Sequence, residues 1–191
     1  MPIVPIVPIV CRPYTAPMDA PISSWESRIA ALWQDIEAHQ PAAFVALIDQ
    51  LAGELPAGDP IASFERGCAQ DSTGHPDLAV PLYQAALAAG LSGLRRRRAV
   101  IQMSSSVRNL GNPALAADWL KAESARTSDE LDTAVQAFLA LALVDLGRER
   151  EAAAISLVAL ARHLPRYNRS LARYAGAIAE TRLLSSPDHL G

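Results

Sequence analysis

With 191 residues and a net charge of −3, the chain has room for one sizeable core and no global charge that would draw it to nucleic acid or a membrane surface. Half of it is apolar but only 5% is aromatic, a balance that suits closely packed helices better than sheets. Two cysteines, Cys11 and Cys68, exclude a disulfide framework, and no apolar run reaches the roughly 18 residues that would cross a bilayer.

The chain opens on a three-residue repeat, Pro2-Ile3-Val4-Pro5-Ile6-Val7-Pro8-Ile9-Val10. Proline at every third position forbids helix and favours extended polyproline II, so residues 1–22 are expected to be a disordered segment. It has neither the basic start nor the small-residue cleavage site of a secretory leader, and a cytoplasmic location is expected. A start at Met18, with the repeat as an artefact, is the alternative.

Ser23-Ser24-Trp25-Glu26 has capping-box spacing, and Ile29, Leu32, Trp33 and Ile36 follow at helical intervals. His39-Gln40-Pro41 breaks this first helix. A second carries Phe44, Leu47, Ile48 and Leu51 and stops at Gly53, before the turn-forming stretch 55–60. Three helix pairs are then predicted, over 61–72 and 76–89, 94–110 and 113–124, and 128–146 and 149–164. Pro76 and Pro113 suit a first helical turn, Asn112 an N-cap, and Thr127 with Glu130 another capping box. A last helix spans about 167–184, and Ser185-Ser186-Pro187 ends it, leaving 185–191 to fray. The organisation is therefore a tail, a helical domain over 23–184 and a short C-terminal end, with about nine helices.

A glycine returns at a near-constant interval through these pairs. Gly74, Gly111 and Gly147 are 37 and 36 residues apart, and an alanine follows each by five residues, at Ala79, Ala116 and Ala152. A period of this size marks a stack of helical units that cannot bury their apolar faces singly. Counting back one period gives Ala38 and Ala43, read as a degenerate first repeat.

These residues resemble tetratricopeptide repeats, which space small residues, a turn glycine and an aromatic over about 34 positions. Residues 60–93 match best, through Gly67, Gly74, Ala79, Tyr83 and Ala86. The second repeat offers Ser104, Val107, Gly111, Ala116 and Leu120, and departs at Glu123. The third offers Leu139, Ala140, Leu143, Gly147, Ala152 and Ala159, with Ser156 in place of the aromatic and Pro165 near the usual proline. The tryptophan and tyrosine of the family's first helix are missing. The resemblance covers 23–184 and is closest to short bacterial members. It implies an all-α, right-handed α-solenoid of antiparallel helix pairs. It also implies a non-enzymatic interaction scaffold, with the first helix of each pair lining a concave groove.

On the helix over 94–110 a rotation of about 100° per residue puts Val100, Met103, Val107 and Leu110 on one face. Arg98, Gln102, Ser105, Arg108 and Asn109 fall on another. By the resemblance this polar stripe faces the groove, where Asp71, Asp145 and Arg173 join it. Two arginines and an amide could hold a carboxylate or phosphate by charge-assisted bonds. The alternative is a solvated face with internal ion pairs to Asp71 and Asp145. The run Arg95-Arg96-Arg97-Arg98 spreads around the helix and makes no flat basic patch, which argues against nucleic acid.

His39, His75, His163 and His189 are scattered without ligand spacing, so no metal or other cofactor is expected. A Cys68–His75 pair is the one nucleophilic arrangement on offer, and Cys68 reads better as a small packed residue, so no catalytic residue is assigned. Trp25, Trp33 and Trp119 read as core fillers, and Tyr167 and Tyr174 as packing on the third repeat. The expected partner is a protein or extended peptide. A small-anion or nucleotide sensor using the same arginines, and a self-associating module forming a homodimer, are the other readings.

Overall fold

A computed structural model describes residues 24–126 and 129–180. Among them the chain is helical throughout, with nine α-helices, one short 3-10 turn and no strand. The expected tail and the C-terminal end, the Ser23 capping position and Thr127 lie outside the described residues. The helices divide into two compact units at Leu110/Gly111.

The first unit contains α1 (Ser24–Gln34), the 3-10 turn Ile36–Ala38, α2 (Pro41–Ala52), α3 (Pro60–Ser72), α4 (Pro76–Ala88) and α5 (Gly93–Asn109). Prolines open α2, α3 and α4, where the missing N–H has no intrahelical partner to lose. Asp59 caps α3 by accepting from the Ile61 amide at 2.8 Å. Each helix packs on the next, and α3 also packs on α5. Trp33 and Phe44 meet edge to face with ring centroids 5.0 Å apart, and Phe64 lies 6.3 Å from Tyr83. Ile29, Ile48, Ala79, Val100, Met103 and Val107 complete this core.

The second unit contains α6 (Pro113–Ser124), α7 (Asp132–Asp145), α8 (Glu149–Ala161) and α9 (Asn168–Glu180), again each packed on the next. Asn112 caps α6 by accepting from the Leu115 amide at 3.2 Å. Its core is built on Leu120, Val135, Leu139, Leu143, Ala159 and Ala175.

The repeated motif acts as its spacing predicts. Gly74, Gly111 and Gly147 have φ of 89°, 88° and 68°, left-handed values that let the chain turn directly into the next helix. Ala79, Ala116 and Ala152 are all buried. Ala38 and Ala43 are exposed, so the proposed first repeat lacks its buried alanine.

Three boundaries differ from the sequence expectation. The first helix ends at Gln34, and the 3-10 turn carries the chain on to α2. Helix α7 starts at Asp132 rather than at 128. Asp129 and Asp132 close a local turn before it: Asp129 Oδ1 accepts from the Leu131 amide at 2.8 Å, and Asp132 Oδ1 from the Asp129 amide at 3.2 Å. Helix α8 stops at Ala161, not 164, because Leu164 precedes Pro165 and is steered away from helical geometry.

Candidate partner-binding site

Helix α3 carries Glu65, Cys68 and Asp71 at intervals of three, which aligns them along one side. Each meets a polar group of α5. The Glu65 carboxylate lies 3.5 Å from Arg95 Nε and accepts from Trp33 Nε1 at 2.8 Å. Arg95 also donates to both oxygens of Glu26, at 3.0 and 2.5 Å, tying α1 to α5. The Cys68 thiol donates to Gln102 Oε1 at 3.3 Å. Asp71 accepts from Ser106 Oγ at 2.7 Å and from the Tyr83 hydroxyl at 3.4 Å.

Burial governs the acid groups of this ladder. It raises the Glu65 carboxyl above the usual carboxylate range, against the Trp33 hydrogen bond and the charges of Arg95 and Arg98. It raises Asp71 to about 6, against the hydrogen bonds from Ser106 and Tyr83.

Every residue over 99–107 is buried. Helix α5 is therefore enclosed on all sides along this stretch, although its sequence alternates apolar and polar groups. Small hydroxyls make that possible: Ser104 Oγ, for example, donates to the Val100 carbonyl at 2.7 Å. Val100, Met103 and Val107 are buried as expected, whereas Leu110, assigned to the same face, is 52% exposed because it follows the last turn of α5.

The sequence-predicted residues fall into three groups. Asp71, Gln102 and Ser105 are buried. Arg98, Arg108 and Asn109 are half-buried, and Arg98 holds its guanidinium 5.3 Å from the centre of the Phe64 ring. Asp145 and Arg173 are exposed and lie on α7 and α9 of the second unit. The structure brings Asp71 and Gln102 into one ladder through partners that sequence spacing did not single out.

The four consecutive arginines have separate fates. Arg95 is clamped by carboxylates, Arg96 is half-buried, Arg97 is only 2% exposed and Arg98 stacks on Phe64. Nothing in the sequence marks Arg97 as a core residue. The Glu26–Arg95–Glu65–Trp33 network was equally unforeseen, and the three-residue spacing of Glu65, Cys68 and Asp71 was its available signal. Cys68 is buried against Gln102 as a small packed residue, the reading favoured over a pairing with His75, which is exposed at the start of α4.

A family model for the tetratrico peptide repeat matches residues 60–178. The chain belongs to the tetratricopeptide repeat family. The match begins at the first residue of α3 and runs into α9, so α1, the 3-10 turn and α2 precede it. No curated protein and no solved structure matches the chain. In tetratricopeptide terms the best-matched repeat is α3–α4, and its small and aromatic positions touch: a Cβ on Gly67 would come within 3.0 Å of the Tyr83 ring. Among the described residues no helix is long and apolar enough to cross a membrane.

Proposed function

We propose that this tetratricopeptide protein is a non-catalytic scaffold in the cytoplasm that holds an extended peptide or protein segment, anchored by Arg98, Arg108 and Asn109 of α5. Family membership over 60–178 supports the class of function. The observation that carries the site is Arg98 stacked on Phe64. A guanidinium lying over an aromatic ring is held in place by its charge, and its N–H groups remain suited to donate to a carboxylate. Gln102, Ser105 and Asp71 act from beneath, as the buried layer that sets the position of α5.

Affinity capture from native lysate tests it, with wild type beside the Arg98→Ala/Arg108→Ala double variant. Preys bound through the anchors should be lost or weakened about tenfold or more, while the variant keeps its helical circular dichroism. An identical prey set at equal affinity would remove these side chains from the site.

A further inference from the structure

The charges of this chain are sorted along its length. Residues 29–65 hold six carboxylates and no lysine or arginine, whereas 152–179 hold four arginines and no carboxylate. In the acidic stretch, Glu54 pairs with Arg28, Asp49 with Arg66, Asp59 caps α3, and Glu65 is buried. That leaves Asp35, just before the 3-10 turn, and Glu37 within it, both exposed and without a cation among the described residues. In the basic stretch Arg162 lies 3.3 Å from Asp132. Arg166, Arg169 and Arg173 are exposed and have no carboxylate partner among the described residues.

Each charged region adjoins uncovered apolar surface. Tyr167 and Tyr174, expected to pack on the third repeat, are instead 76% and 61% exposed, and Arg173 lies over the Tyr174 ring. On α2, Ala42, Ala43, Ala46 and Leu47 are exposed. Beside them is a recess of about 330 Å³ between Ala42 and Ala46 of α2, Ala69 of α3 and Leu82 of α4, with the Asp49–Arg66 pair also lining it. Its three alanines leave room for an aromatic ring beside Val45 and Leu82, and a tyrosine hydroxyl can meet Gln70 or the Asp49–Arg66 pair. Tyrosine and arginine are also the residue types that carry most binding energy at protein interfaces.

We propose that a second copy of this chain docks here. The exposed side of α9 in one copy, where Arg173 lies over the Tyr174 ring and Arg169 is one turn before it, lies on the α2 face of the next, with Asp35 and Glu37 opposite the arginines. Charge complementarity selects this occupant, because each copy carries both halves. A net charge of −3 and so few exposed arginines disfavour a polyanion such as single-stranded nucleic acid. The two faces differ, so a dimer retains one unused face of each kind and further copies can add. The contact is separate from the α5 anchors and stands without them.

Sedimentation velocity of the full chain, from about 5 to 500 µM, tests the proposal. At low salt the weight-average sedimentation coefficient should rise with concentration past that of a dimer. It should fall back in about 0.5 M salt, where exposed charges are screened. Arg169→Glu/Arg173→Glu and Asp35→Lys/Glu37→Lys should each weaken self-association about tenfold or more. Mixed together, the two variants should restore a complex, since each retains the face that the other has lost. Ala46→Trp, which fills the recess without changing charge, should weaken association as well and covers the case in which a reversed variant fails to fold. A wild type that stays monomeric at every concentration overturns the proposal. So does an Asp35→Lys/Glu37→Lys variant that associates as wild type does, because α9 would then meet something other than the acidic turn. Tight binding of a single-stranded oligonucleotide, lost in Arg169→Glu/Arg173→Glu, with no self-association, would assign α9 to nucleic acid instead.

Discussion

Asp71 shows how a single carboxyl can work against the fold that surrounds it. It is buried among Ser106 and Tyr83, and burial lifts it to about 6. In the unfolded chain it titrates near 3.9, so the folded state binds its proton more readily. The stability it allows is greatest below the unfolded value and declines as pH rises toward 6. Above that the folded protein holds a buried charge. Asp71→Asn keeps the shape and one accepting oxygen, turns the other into an amide donor to a neighbouring hydroxyl, and removes the charge. It should raise unfolding free energy at pH 8 by about 1–3 kcal/mol relative to wild type and flatten the decline between pH 4 and 6. Denaturant titrations of both proteins at pH 5 and pH 8 would show this. A variant less stable than wild type at pH 8 would mean that the ionised carboxylate is better satisfied than its burial implies.

At the level of helices, the repeated alanines are buried, as close crossings would require. Ala79 and Ala152 are buried in α4 and α8, so a longer side chain has nowhere to go without moving a helix. Ala79→Leu and Ala152→Leu should each cost about 1–3 kcal/mol in chemical denaturation. If both were neutral, the alanines would not mark crossings. Proline and glycine made most helix boundaries legible in the sequence, because their backbone restrictions act locally and need no knowledge of neighbours. The site on α5 was less legible for the opposite reason. Periodicity separates the faces of a helix but does not say which are covered, and over 99–107 all of them are. Gln102 and Ser105 read as solvent-facing because they are polar. They are buried in a helix whose neighbouring polar groups Cys68 and Asp71 come from α3, 34 and 35 residues before their partners, beyond the reach of a local pattern. Tyr167 and Tyr174 failed in the other direction: aromatic rings at helical spacing read as core and are exposed.

On the scale of the whole molecule, repeat proteins are held by contacts between neighbouring elements, so a local loss need not spread through the chain. Each unit here has its own buried set, with Phe44, Phe64 and Tyr83 in the first and Val135, Leu139 and Leu143 in the second. Leu143→Ala should therefore cost about 2–5 kcal/mol, and hydrogen exchange should show the lost protection concentrated in α6–α9 while α1–α4 keep theirs. Equal loss along the entire chain would show instead that it unfolds as one cooperative body.

The clamp between Glu26 and Arg95 joins groups 69 residues apart, whereas most helices here touch only their immediate successors. A chain leaves the ribosome N-terminus first. Glu26 is therefore made well before the arginine that secures it, and Trp33 waits likewise for Glu65. Helix α1 is the first described helix to emerge; Phe44 and Glu54 hold it early, through Trp33 and Arg28, but its tie to α5 closes only once Arg95 has been made. During synthesis the Glu26 carboxylate must rest in water until α5 has been delivered.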